Sequence, residues 1–189
     1  MSLETKRIKE LFGYARTLTK EQGVGVMAGR AVGFFKRRFF GKKARYLPAK
    51  QTLDAQRADP AAKTWPTISI LTPLYNTPPQ FLQQFLNSVQ AQTAPNWQLV
   101  LVDASDDAHP DVAKTVQARA AQDKRIVYAK IENKGIAANT NEAAKLATGD
   151  YLALADHDDM LAPHAVYCMG KALAESGAAF AYSDEALFE

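Results

Sequence analysis

Residues 151–159, with the sequence YLALADHDD, decide how this chain folds. The stretch opens with five residues that form a short apolar run, which is typical of a buried strand in a parallel sheet. Three carboxylates follow within four residues, at Asp156, Asp158 and Asp159. Because side chains alternate along an extended chain, Asp156 and Asp158 are predicted to point to the same side of the strand's end.

The acidic end of this stretch suits a divalent metal. Two neighbouring carboxylates repel each other unless a cation joins them, and hard oxygen ligands favour Mg²⁺ or Mn²⁺. Mg²⁺ commonly takes one or two protein carboxylates and completes its shell with water and phosphate oxygens. Since open α/β sheets bind ligands at the carboxyl ends of their strands, the stretch predicts a metal–phosphate site. The alternative is a solvated acidic loop that caps the following helix.

The chain from residue 66 onward alternates strand and helix patterns. Apolar runs predict strands at residues 67–72, 98–102, 126–131, 151–155 and 178–182. Amphipathic stretches between them predict helices, at residues 78–90 with Thr77 as the cap, 111–121, 136–147 and 163–176. This alternation predicts an α/β fold, with an open, mostly parallel sheet and helices on both faces.

The first 46 residues differ in composition from the rest. Residues 1–50 hold more than half of the 23 Lys and Arg but few of the 20 Asp and Glu, so the net charge of +3 conceals a basic leader and an acidic remainder. Apolar residues at three- and four-residue spacing predict amphipathic helices in this leader, residues 1–46. Residues 47–65, with two prolines and several alanines, are interpreted as a linker, which leaves residues 66–189 as the main domain.

The leader ends in residues 34–45, FFKRRFFGKKAR, where phenylalanines alternate with a dense basic cluster. Such a segment can lie in an anionic membrane interface, where each basic residue adds about 1 kcal/mol of binding free energy. Alternatively, the phenylalanines pack on the main domain while the basic side chains are solvated. Nucleic-acid binding is not expected, because no recognised binding motif accompanies the charge.

The sequence predicts a cytoplasmic location, peripheral at the inner face of the cell membrane if the leader binds lipid. The single cysteine, Cys168, excludes an internal disulfide and fits a reducing compartment. Cys168 follows a helical pattern and is predicted to be buried. Charged residues interrupt the first apolar stretch, so we expect neither a signal peptide nor a membrane-spanning helix there.

Four stretches in fixed order resemble the family 2 glycosyltransferases, which are inverting enzymes of the GT-A fold. They are ISILTPLYN, LVLVDASDD, ENKGIAANTNEAAKLATGDYLALADHDD and AYSDE, and the resemblance extends over about residues 66–189. The pairing of DHDD with YSDE is similar to the branch that builds bacterial surface polysaccharides, including rhamnosyltransferase-like members. The resemblance implies sugar transfer from a nucleotide-diphosphate sugar to a glycan or lipid-linked acceptor, assisted by Mg²⁺ or Mn²⁺.

The resemblance also implies which residues bind the donor and the metal. Asp103 corresponds to the family's aspartate that hydrogen-bonds the nucleobase, and since a carboxylate accepts from an imide N–H, a uridine or thymidine donor is favoured. Asp158 is implied as a metal ligand, and Asp156 as a contact to the metal or the ribose. The other candidates for donor binding are Pro73, Tyr75, Asn76, Asn133, Lys134, Gly135, Asn139, Asn141 and His157. We expect the carboxylates of Asp156 and Asp158 to share a cavity with Asp103 and Tyr75.

Two features depart from the family's pattern. Many relatives carry two adjacent aspartates before a small residue and a serine, whereas here Asp103 is followed directly by Ala104 and Ser105. In the family, the general base that takes the acceptor's proton is an aspartate well after the YSDE stretch. We therefore expect the general base to lie beyond Glu189. On this interpretation the chain is the leader and donor-binding part of a longer enzyme, and it is inactive alone. The alternative is a non-catalytic module that binds nucleotide-sugar or is recruited to membrane.

Vesicle sedimentation distinguishes the two interpretations of the leader. If its basic cluster binds an anionic surface, residues 1–189 should sediment with anionic vesicles, and residues 46–189 should remain in the supernatant because the cluster is lost. Neutral vesicles provide the control. Equal sedimentation of both chains with anionic vesicles would exclude the membrane interpretation and favour packing on the main domain.

Overall fold

The structure is a computed structural model that describes residues 47–183. The predicted leader helices and residues 184–189 lie outside the described residues. None of the helices within the described range has the length and apolarity to span a bilayer. The elements are, in order, α1 (Lys50–Ala58), a 3₁₀ turn (Ala61–Thr64), β1 (Ile68–Leu74), α2 (Pro79–Gln90), β2 (Trp97–Asp103), α3 (Pro110–Gln122), β3 (Ile126–Lys130), α4 (Ile136–Leu146), β4 (Tyr151–Leu154) and α5 (Ala165–Ser176).

The described strands form one parallel sheet with the spatial order β3–β2–β1–β4. The chain moves outward from β1 to β2 and β3, and α4 then carries it back to β4 on the other side of β1. Because crossovers between parallel strands are right-handed, this reversal puts α4 on the face opposite to α2 and α3. The carboxyl ends of β1 and β4 therefore border the point where the strand order reverses, which is where open α/β sheets bind ligands.

Hydrophobic side chains on both faces of the sheet hold the helices in place. The larger core includes side chains from α2, α3 and α5, among them Phe85, Val116 and Leu173. The smaller core, on the other face, joins Val100 and Val102 of β2 to Ala143 of α4. The prediction of an α/β fold with a parallel sheet and helices on both faces is confirmed.

The acidic strand β4 is less buried than its apolar run predicted. Within the described sheet β4 is an edge strand that pairs only with β1. Leu152 and Leu154 are 55% and 76% exposed, whereas Tyr151 and Ala153 pack against the larger core. The reason is that α4 lies over β1 and β2, and it leaves the corresponding face of β4 uncovered by described residues.

Several local predictions were wrong. Strand β1 continues through Pro73 to Leu74 instead of ending before the proline, and residues 178–182 are irregular instead of forming a strand. Thr77 makes no cap to α2, and its buried Oγ1 has no hydrogen-bond partner in the described structure. Cys168 is exposed on α5, where its thiol was predicted to be buried. The sequence indicated α2 and α5, but not which groups surround Thr77 and Cys168.

The segment interpreted as a linker is folded against the domain. It contains α1 and the 3₁₀ turn, in which Ala62 is buried. The Tyr167 hydroxyl donates to Asp59 Oδ2 at 2.6 Å, and the Trp65 ring meets the Tyr167 ring edge-on at a centroid distance of 4.9 Å. The folded unit thus begins before residue 66, because the 3₁₀ turn of this segment packs on α5.

A buried polar network holds the start of β4 against β1. Ser69 Oγ donates to Gln98 Oε1 at 2.7 Å and accepts from the Gly149 N–H at 2.9 Å. Helix α4 ends at Leu146, and Gly149 after it packs closely against β1. A Cβ at position 149 would lie 2.7 Å from both Ser69 Oγ and the Thr67 carbonyl oxygen. This contact sets where the acidic residues emerge from β4.

Replacing Gly149 by alanine should therefore destabilise the fold. The added methyl group meets the Thr67 backbone, which cannot rotate away, and overpacking of this kind costs about 1–3 kcal/mol. Urea unfolding of Gly149→Ala should show a free energy of unfolding lower by that amount with an unchanged slope. Unfolding at the same urea concentration as the unaltered chain would contradict the close approach of β4 to β1.

Candidate functional site

Asp103 ends β2 as a fully buried carboxylate, with 0% of its surface exposed. Its Oδ1 accepts a hydrogen bond from the Ser105 N–H at 2.9 Å. Its Oδ2 accepts from the Tyr128 hydroxyl at 3.0 Å and from Lys130 Nζ at 3.3 Å. Since a buried charge is unfavourable without such donors, these contacts account for the stability of the carboxylate in the interior. The predicted contact of Asp103 with a nucleobase stays a prediction.

Two side chains of this cluster, Tyr128 and Lys130, were not found by sequence reasoning. Lys130 lies directly across from Asp103 in the pairing of β2 with β3, and its Nζ also donates to the Ser105 carbonyl oxygen at 2.6 Å. Burial, followed by the hydrogen bond to Asp103, raises the pKa of Tyr128 to about 12. The alternation within β3 puts both side chains on one face, but only the strand order shows that this face adjoins Asp103.

The loops that follow β1 and β2 are tied together by Asn76 and Asp106. Asn76 has a left-handed φ of 49°, and its N–H donates to Ser105 Oγ at 2.9 Å. Its Nδ2 donates to Asp106 Oδ2 at 2.9 Å, and the Asp106 N–H donates back to Asn76 Oδ1 at 3.1 Å. Hydrogen bonds from the side chains of His109 and Asn76 lower the pKa of Asp106. Asn76, predicted to bind the donor, thus holds the loop that presents Tyr75, which is 50% exposed.

The connection from β3 to α4 is braced by a buried asparagine. Asn139, which is 3% exposed, accepts from the Lys134 N–H at 3.1 Å and donates to Asn133 Oδ1 at 3.1 Å. The Gly135 N–H also donates to Asn133 Oδ1, at 3.0 Å, and Gly135 adopts a φ of 88° that favours glycine. Lys134 and Asn141 are exposed. Asn139 therefore shapes the loop, while Lys134 and Asn141 remain accessible to a ligand.

The acidic residues after β4 are accessible to solvent. Asp156 and Asp158 are exposed and His157 between them is partly buried, which continues the alternation of exposure in β4. Within residues 47–183, no three His, Cys, Asp or Glu side chains come together as a metal site. The two carboxylates nevertheless fit Mg²⁺ or Mn²⁺, because such an ion needs only one or two protein carboxylates and takes its other oxygens from water and phosphate.

The predicted residues lie at one edge of the sheet, and two grooves lie on the described part of the chain. A groove of about 420 Å³ between α2 and α3 is lined by residues such as Gln83 and Arg119. A second groove, of about 290 Å³, lies beside the start of α4 and includes Lys134 and Asn139. Neither groove contains Asp103, Tyr75 or an aspartate of the acidic stretch. Pro73, another predicted contact, is a partly buried part of β1.

Comparison with known proteins identifies the family. A model of the family described as Glycosyl transferase family 2 matches residues 69–184, which is more than half of the chain. The chain belongs to glycosyl transferase family 2. The matched segment contains all of the residues that the sequence predicted to bind donor or metal.

Curated relatives of this family 2 chain are much longer proteins. The O-antigen biosynthesis protein RfbC of Myxococcus xanthus is 33% identical over 140 residues, which are 73% of this chain and 11% of RfbC. The uncharacterized protein y4gI of Sinorhizobium fredii is 38% identical over 123 residues, 64% of this chain and 13% of y4gI. The putative glycosyltransferase EpsH of Bacillus subtilis is 35% identical over 104 residues, 54% of this chain and 28% of EpsH. The chain thus spans a minor part of each relative.

A solved structure supports the fold of the family 2 domain. Residues 1–349 of S. aureus TarS, crystallised in complex with UDP-GlcNAc, superpose with a TM-score of 0.51 and 21% identity. The similarity covers 59% of this chain and 32% of the TarS chain. At this identity the likeness concerns the fold, and it confirms the predicted GT-A architecture.

Tyr128 should give this family 2 domain a dependence of stability on alkaline pH. Its pKa is raised from the ordinary 10.0 to about 12, so the protonated phenol stabilises the fold fully below pH 10 and loses this effect as the pH rises to about 12. We expect Tyr128→Phe to reduce the fall in the free energy of unfolding over this range, measured by urea unfolding. Tyr182→Phe, at a residue that is 84% exposed, is the control. Identical pH dependence in the unaltered and Tyr128→Phe chains would contradict the role of Tyr128.

Proposed function

We propose that the protein is a metal-assisted, inverting glycosyltransferase of cell-surface polysaccharide synthesis. It takes a sugar from a nucleotide-diphosphate donor and passes it to a glycan or lipid-linked acceptor. The observation that carries the proposal is the family match over residues 69–184, because that segment contains every side chain predicted to bind donor or metal. The role of RfbC in O-antigen biosynthesis supports the polysaccharide product, and the TarS complexes with UDP-GlcNAc and UDP support a uridine-type donor.

The carboxyl edge of the sheet supplies the groups that hold the donor. Tyr75 presents an exposed ring to the base, on a loop whose backbone is held by Asn76 and Asp106. The turn at Gly135 leaves the backbone open, since nothing lies within 4 Å of a Cβ built there, so a phosphate can approach closely. The Lys134 ammonium, which is exposed beside this turn, can neutralise phosphate charge.

The acidic stretch supplies the metal-binding groups. Asp156 and Asp158 would hold Mg²⁺ or Mn²⁺, and the bound ion supplies positive charge that stabilises the leaving diphosphate. The partly buried imidazole of His157 stands between the two carboxylates in sequence and can orient one of them by hydrogen bonding. The acceptor hydroxyl attacks the anomeric carbon as the nucleoside diphosphate departs, and a general base takes its proton. We assign that base to no residue of this chain.

A non-catalytic nucleotide-sugar-binding module is the second candidate. One observation favours it: the groove beside the start of α4 includes Lys134 and Asn139, which were predicted to bind the donor, but neither Asp156 nor Asp158. For either candidate we propose a cytoplasmic location, on the basis of the single cysteine and the basic leader. Metal dependence of nucleotide binding distinguishes the two.

Thermal unfolding tests the proposed function. We expect UDP or TDP with Mn²⁺ to raise the melting temperature of residues 1–189 more than either component alone, because the metal joins the carboxylates to the diphosphate. A ligand at about 100 times its Kd adds about 2.7 kcal/mol to the free energy of unfolding. Asp158→Ala should remove the metal-dependent part of the shift. Asp54→Ala, which removes an exposed carboxylate of α1, should leave it unchanged.

The remaining outcomes are equally informative. A nucleotide shift with no dependence on metal would favour the non-catalytic module. Absence of a shift with UDP, TDP or GDP, with or without Mn²⁺, would contradict the proposed function.

A further inference from the structure

The carboxylate at the predicted nucleobase position is sealed inside the protein. None of the Asp103 side chain is exposed, whereas 47% of the Lys130 side chain is. Both oxygens of Asp103 already accept hydrogen bonds from protein donors. A ligand that arrives at the carboxyl edge of β2 and β3 therefore meets Lys130, and it reaches Asp103 only if this cluster opens.

Lys130 retains a hydrogen-bond donor for such a ligand. A lysine ammonium carries three N–H donors and no acceptor. The described structure uses two of them, one toward Asp103 Oδ2 and one toward the Ser105 carbonyl oxygen. These two contacts hold the ammonium over the end of β2, and its third N–H is left for an acceptor such as a carbonyl oxygen.

The residue that follows Asp103 provides no side-chain acceptor in its place. The position after it is Ala104, which is 4% exposed and whose N–H donates to the Leu74 carbonyl oxygen. The next carboxylate along the chain, Asp106, is engaged by Asn76 and His109. Asp107 is an exposed carboxylate in the same turn, but it lies four residues beyond the end of β2, whereas Lys130 lies directly across from Asp103.

We propose that Lys130 contacts the nucleobase of the donor by donating a hydrogen bond to a base carbonyl oxygen. Asp103 and Tyr128 are positioning residues that hold the ammonium in place and do not touch the base. The inference rests on the proposed function, since it assumes that a nucleotide-diphosphate donor binds at this edge. It predicts selection for bases that carry a carbonyl oxygen, such as uracil, thymine and guanine, over adenine, which carries none.

A modified nucleotide separates this arrangement from direct contact by Asp103. A carboxylate needs the imide N–H of uracil as its donor, whereas an ammonium needs only a carbonyl oxygen. N3-methyluridine diphosphate keeps both carbonyl oxygens and lacks that N–H. By calorimetric titration of residues 1–189 with Mn²⁺ present, we expect its Kd to lie within about threefold of that of UDP, and the Kd of ADP to be about tenfold higher or more.

Variants of Lys130 test whether its ammonium contacts the base. Lys130→Met keeps the length of the side chain and removes its donors, so it should raise the Kd for UDP about tenfold and leave the Kd for ADP unchanged. Lys130→Arg restores a cationic donor and should recover preference for UDP. Lys124→Met removes an exposed lysine before the amino end of β3 and should change neither Kd. If Lys130 had a purely structural role, Lys130→Met would weaken the binding of UDP and of ADP equally.

The outcomes separate the two proposals. N3-methyluridine diphosphate that binds as weakly as ADP, or UDP binding that is unaffected by Lys130→Met, would overturn this inference and leave the proposed function standing. Equal weakening of UDP and ADP by Lys130→Met would also overturn it. If the unaltered chain binds no nucleoside diphosphate at all, the proposed function and this inference both fail.

Discussion

The parallel pairing of β1 with β4 is the constraint on which the candidate site depends. Gly149 lies against the Thr67 carbonyl oxygen, and the buried side chains of Ser69 and Gln98 hold this approach together. Because all described strands run in the same direction, their carboxyl ends meet at one edge of the sheet. Tyr75, Asp103 and the acidic stretch are thereby gathered at that edge, although they are far apart along the chain.

The polar groups at this edge fall into two physical classes. Asp103 is buried and satisfied by protein donors, as a carboxylate in an apolar interior must be. Asp156 and Asp158 are exposed, so their carboxylates keep water that a metal ion can displace. In the proposed function, the nucleobase end of the site would therefore be organised before a ligand arrives, whereas the metal end would depend on the ligand to complete it. The proposal that Asp103 holds the Lys130 ammonium in place follows from the burial of Asp103.

Much of the fold and part of the site could be predicted from local patterns. Periodicity located β1, β2, β3 and β4 and the helices between them, since the spacing of apolar residues reflects which face each element buries. Predictions that depended on neighbours fared worse, as Thr77, Cys168 and residues 178–182 show. Asn76 and Asn139 were chosen as ligands of the donor, and both are engaged in holding loops. A local pattern records the polarity of a side chain but not the partner that satisfies it.

The sequence by itself determined the alternation of strand and helix, the family, and the carboxylates that follow β4, because each of these is written in contiguous residues. Only the tertiary structure decided that Tyr128 and Lys130 surround Asp103. Those residues lie 25 and 27 positions further along the chain, and they reach the carboxylate because β3 pairs with β2. Strand order results from how the crossover helices pack on the two faces of the sheet. Contacts between strands therefore follow from that packing and not from any single stretch of residues.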